Sequence, residues 1–107
     1  MSLTKQEAES YIRMELRQWK LSNVKIEWKT FCHLGEADVS NNQINLSLEV
    51  LESAALLVEV VKHEIAHFLD YLERGTFEVN GRNVFHGKNW KKWCLTVGVR
   101  PRRLIPA

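Results

Sequence analysis

Cysteine is scarce in this 107-residue chain: Cys32 and Cys94 are the only two, too few for a disulfide framework. With two prolines and five glycines there is no linker or low-complexity tract to divide it. No charge-free run approaches the roughly 20 apolar residues a helix needs to cross a bilayer, so no membrane partner is expected. Residues 1–10 are polar and lack the apolar centre of a secretory leader, which makes a reducing cytoplasm the expected location. Acid is missing from the C-terminal part. All 13 acidic residues lie in 1–78 beside 8 bases, while 79–107 carry 7 bases and no acid. The net charge of +2 thus hides a basic end, either a solvated surface or a face for an anionic partner, DNA first.

What is present suits one core. The hydrophobic share is 45% and the charged share 26%, ordinary for a globular chain, and the length allows a single domain over 1–107 but not two. Thr4-Lys5-Gln6-Glu7 reads as a capping box, and Ala8, Tyr11, Ile12, Leu16 and Trp19 recur at helical spacing to about Lys20. Val24, Ile26 and Trp28 alternate with charges, as in a half-buried strand. Ala37 and Val39, a polar turn at 40–43, then Ile44, Leu46 and Leu48 predict a hairpin whose asparagines tolerate positive φ.

Ser53 to Arg74 is helical, with Gly75 placed to end it. Leu57, Val61, Ile65, Phe68 and Leu72 form one apolar stripe; Leu56, Val60 and Tyr71 belong to a second, rotated by roughly 80–100°. Two apolar faces predict a helix at the centre of the fold. Phe77–Val84 contains Asn80-Gly81 and predicts a small hairpin. A last helix runs from His86 to about Val97, and Pro101 blocks its continuation. The fold class is therefore α+β: a small antiparallel or mixed sheet packed on a central helix, flanked by N- and C-terminal helices.

That central helix carries His63-Glu64-Ile65-Ala66-His67. Histidines four apart stand one above the other, roughly 6 Å apart, and can reach one metal ion while the glutamate acts on a water beside it. A catalytic zinc needs a third ligand. No acid follows Glu78, which removes a downstream glutamate. Glu73 lies six residues past His67, but Asp70 stands where a helix-breaking glycine would be needed. On an unbroken helix Glu73 sits roughly 9 Å further along and on another face. His33 and His86 remain, with Cys32 and Cys94 as thiol candidates; His86, at a helix start after a turn, can be aimed back at the first helix.

Val61–Leu69 around this motif, then His86-Gly87-Lys88-Asn89-Trp90, then Val97-Gly98-Val99-Arg100-Pro101-Arg102-Arg103, resemble the SprT family of zinc metallopeptidases. The hairpin Gly35–Ser47, with Ile44-Asn45-Leu46, resembles the family's segment before the active-site helix. The resemblance implies a zincin-like fold, Zn2+ held by His63, His67 and His86, and Glu64 as catalytic base and acid. It implies hydrolysis of protein substrates, DNA-associated proteins among them, laid along the strand around Ala37–Val39 or Ile44–Ser47. This chain lacks the cysteine-rich ribbon often found in the family, and its interval from His67 to His86 is longer, filled by the predicted hairpin.

Other residues have blander readings. Trp90 and Trp93 anchor the last helix, or stack on a base beside the lysines around them. Tyr71 packs rather than bonding an intermediate. Asp70 and Glu59, placed where a carboxylate could orient a ligand histidine, read instead as ordinary charged residues of the helix. Cys32-His33 is a weak stray metal site and Cys94 a small buried hydrophobe. The alternative to an enzyme is a non-catalytic zinc-stabilised module that binds nucleic acid or protein through its basic C-terminal region. The sequence sets no oligomeric state.

Overall fold

In the computed structural model, which describes residues 2–30 and 33–102, Thr4 opens helix α1 (Lys5–Gln18) as predicted. Its hydroxyl accepts from the Glu7 amide at 3.1 Å, and the Glu7 carboxylate accepts from the Thr4 amide at 2.9 Å. Ala8, Ile12 and Leu16 are buried along one side of this helix, which packs against α2.

Strands β1 (Lys25–Trp28), β2 (Gly35–Asp38) and β3 (Gln43–Leu46) form a mixed sheet in the order β1-β3-β2. β1 runs parallel to β3 with Ile26 opposite Ile44; β2 runs antiparallel with Ala37 opposite Ile44. The β2–β3 turn takes a short 3-10 form over Val39–Asn41, held by the Asp38 carboxylate and closed by Asn42 at φ 54°. Positive φ falls on an asparagine, as expected. The alternation does not reach Leu48. β3 ends at Leu46, Ser47 caps a 3-10 turn over Leu48–Glu52, and Leu48 is left exposed.

Helix α2 (Ala54–Arg74) starts at Ser53, whose hydroxyl accepts from the Leu56 amide, and ends at Gly75 with φ 74°. It contacts α1, β2, the 48–52 turn and the last helix, α3 (Lys88–Val97), so it is central as its two apolar faces predicted. Leu57, Val61, Ile65 and Phe68 are buried, but Leu72 is 63% exposed. The stripe outruns the elements that cover it: Leu72 sits in the last turn, beyond their reach.

β4 (Glu78–Val79) and β5 (Arg82–Asn83) are the predicted hairpin, with Asn80 at φ 53° and Gly81 at φ 81° as its turn. Helix α3 begins two residues later than predicted, because Gly87 takes an extended cap conformation. A Cβ on Gly87 would stand 2.8 Å from Val84 Cγ1. Trp90, Cys94 and Val97 pack inward, and Gly98 at φ 92° stops the helix before Pro101 is reached. Cys94 is the buried small hydrophobe expected; Cys32 and Arg103 lie outside the described residues.

Candidate metal centre

A cavity of about 610 Å³ opens where α2, β2, the hairpin and the start of α3 meet. His63, Glu64 and His67 line it from α2, and His86 from the loop before α3. Trp90, fully buried, is the hub. The His67 ring stacks on it at 5.2 Å, His86 meets it edge-on at 4.7 Å, and His63 lies tilted at 5.6 Å. The His67 and His86 rings are 4.9 Å apart, so residues 19 positions apart in sequence are neighbours. Burial of Trp90 settles its role as an anchor; no base can stack on it. Trp93 is half-buried and donates its Nε1–H to Glu73 at 3.1 Å.

His63 is held differently. Its Nε2 lies 2.6 Å from the Arg100 carbonyl, an acceptor only, so Nε2 carries the proton and Nδ1 is left with a lone pair. That Nδ1 is buried and meets no hydrogen-bond partner among the described residues. An unpaired buried polar atom costs about 1–3 kcal/mol. Accordingly, among the described residues no three His, Cys, Asp or Glu side chains are arranged to hold one ion. The donor set fits zinc in kind: three imidazoles, one with an unsatisfied lone pair, around an aromatic floor. Ligation through His63 Nε2 requires its release from Arg100.

Burial sets the protonation states. It pushes His67 down to about 3, with His86 nearby adding to the effect, so His67 is a neutral ligand-competent imidazole. His63 is lowered by the same cause. Glu64 is raised to about 8 by burial and then by the charge of Glu36, while the Ala37 N–H facing the carboxylate pulls it partly back. Glu36 is fixed beside it by Asn45, which donates at 2.7 Å and is itself wholly buried on β3. Only glycine lets β2 pass this close to α2. A Cβ on Gly35 would stand 2.6 Å from Val60 Cγ1 and 3.3 Å from Glu64 Oε2.

Asp70 is wholly buried. It accepts from Arg74 Nε at 2.6 Å and Nη2 at 2.9 Å, and from Asn89 at 2.8 Å. Arg74 also donates to the Val84 carbonyl at 2.9 Å. This clasp ties the loop that carries His86 to the end of α2. Glu59 instead pairs with Arg102, which lines the cavity. Glu73 faces outward to Lys92, as its helical position predicted. His33 lines the cavity from the β2 side.

The model of the SprT-like family matches residues 3–106. The chain belongs to the SprT-like family. No curated protein and no solved structure matches it. This SprT-like chain is α+β, with three α-helices and two small sheets among its described residues, and none of those helices is long and apolar enough to cross a membrane. Sequence reading alone missed the close approach of Gly35 to Glu64, the Ala37 amide on the Glu64 carboxylate, the Asn89 bond to Asp70 and the Arg100 carbonyl on His63. Only the Asp70/Arg74 pair, four apart on one helix, left a local signal.

Proposed function

We propose that this chain is a zinc-dependent metallopeptidase, with His63, His67 and His86 as metal ligands and Glu64 as general base and acid. The observation that carries the reading is the gathering of three histidine rings about Trp90 in the cavity that also holds Glu64. Bound zinc would polarise the scissile carbonyl and acidify water. Glu64 takes the proton of the attacking water and delivers it to the leaving amine. A carboxyl group raised to about 8 is mostly protonated at neutral pH, so this role demands a cation nearby. Three imidazoles are the chemistry to hold one.

β2 is the strand that receives substrate. It is a sheet edge beside the cavity, and an extended peptide can add along it. The other candidate, Ile44–Ser47, is excluded because β3 is paired on both sides. Lys88, Lys91 and Arg100 are exposed, which supports a DNA-associated substrate, whereas Lys92 and Arg102 are paired with Glu73 and Glu59.

In the second reading, a non-catalytic zinc-stabilised module binding nucleic acid or protein through the basic C-terminal region, the contact between His63 and the Arg100 carbonyl holds that region against α2. One pair of measurements separates the two. The enzyme reading expects about one zinc per chain, largely lost in His86→Ala, and peptide hydrolysis that Glu64→Gln abolishes while zinc is retained. Retained zinc with no hydrolysis of any protein or peptide, with or without single-stranded DNA, would select the module. No zinc uptake in either protein would end both readings.

A further inference from the structure

The Phe77–Val84 hairpin supplies no candidate metal ligand, yet its two ends place aromatic rings in the same cavity. Phe77 precedes β4 and Phe85 follows β5; their centroids are 5.0 Å apart, and both line the cavity with the histidines. Phe77 is clamped. Tyr71 packs against it at 5.0 Å, Arg74 lies over its ring at 5.9 Å, and the Val84 amide donates to its carbonyl at 2.6 Å. Phe85, next to His86, is 45% exposed. What sets Phe85 apart from the other exposed apolar side chains is its place: its ring lines the cavity against Phe77, beside the candidate metal ligands.

We infer that Phe77 and Phe85 form an apolar wall that selects a large apolar side chain in the residue flanking the scissile bond. This rests on the peptidase reading and adds the substrate class to it. Glu64 and Glu36 line the cavity from α2 and β2, and the ends of the hairpin face them with two adjacent phenylalanine rings, an apolar surface for a peptide side chain. The hairpin is local, closed by its own turn, and hung on Arg74, so the wall stays in place without contributing to the core. Discrimination between Leu and Ala against such a wall is expected to be at least about ten-fold in kcat/KM.

The test is cleavage-site profiling of a mixed peptide library by the zinc-supplied protein and its Phe85→Ala, Phe85→Leu and Phe77→Ala variants. The expected result is enrichment of Leu, Met, Phe and Tyr at one position beside the cut bond. Phe85→Ala and Phe77→Ala should flatten the Leu-to-Ala ratio by about ten-fold, and Phe85→Leu should keep most of it. A flat profile in the parent, or an enrichment unmoved by Phe85→Ala, overturns the wall while leaving the peptidase intact. If the parent cleaves nothing, the peptidase reading fails, and capture of the same library by zinc-supplied Glu64→Gln protein decides the wall. Retention of apolar peptides that is lost in the Glu64→Gln, Phe85→Ala double variant sustains it; equal retention removes it.

Discussion

His63, Glu64 and His67 ride on α2, while His86 rides on the loop that follows the hairpin, and the two carriers are held by different physics. α2 is capped at both ends, runs for 21 residues and is covered on several sides by apolar contacts. The 76–87 segment holds two strands of two residues each and is fastened to α2 by the Arg74 bond to the Val84 carbonyl, with Asp70 holding Arg74 and, through Asn89, the start of α3. The first carrier places its side chains by helical period alone. The second depends on a few directional bonds, and substitutions there should loosen the site while α2 stays folded.

Removing the fastening should show this most strongly. Asp70→Ala leaves Arg74 and Asn89 without their shared acceptor, an expected loss of about 3 kcal/mol in denaturant unfolding together with weakened zinc binding. If zinc affinity is unchanged, the clasp does not position His86. The α2 side answers to pH instead. In zinc-free protein Glu64, raised to about 8 from 4.5, favours the folded state when protonated. Stability should therefore rise by about 1–2 kcal/mol as pH falls from 8 to 6.5. Between 6.5 and 4.5 His67, lowered from 6.5 to about 3, offsets that gain, since the unfolded chain takes up its proton first; below 4.5 stability falls. Glu64→Gln should erase the alkaline limb and keep the acid one, as measured by urea titrations across pH.

Gly35→Ala probes the seam between β2 and α2. Its Cβ meets Val60 Cγ1 at 2.6 Å, and the shift should cost about 1–2 kcal/mol and move the alkaline limb, because Ala37 and Glu36 move relative to Glu64. An unmoved limb would mean that β2 does not set the Glu64 environment. Arg102→Ala should change stability by less than about 1 kcal/mol, as befits a half-exposed pair with Glu59. Its informative readout is zinc affinity by chelator competition, expected to rise as the Arg100 carbonyl loosens from His63; unaltered or weaker binding would show that this contact does not restrain the ligand.

Local patterns that carry their own stereochemistry were readable from the chain. The Thr4/Glu7 capping box, the Ser53 and Gly75 limits of α2 and the Asn80-Gly81 turn depend on bonds within a few residues, and each is where it was expected. Extrapolated patterns failed at their ends. Leu48 and Leu72 continue a periodicity past the point where a neighbouring element covers it. The candidate site divides the same way: His63, Glu64 and His67 share a helix turn, and His86 could be narrowed to one of a few residues by exclusion.

Strand order, which makes β2 an edge and pairs β3 on both sides, comes from pairing between residues 18 positions apart, and no single segment encodes it. The same holds for the Arg100 carbonyl on His63 Nε2, for the Gly35 approach to Glu64 and for the aromatic wall of Phe77 and Phe85. Helical period and capping chemistry act over a few residues, so the chain alone specifies which side chains can meet on one face. Burial, the pKa of Glu64 and the partner of each histidine depend on which distant backbone packs over that face, and folding of the whole chain supplies it.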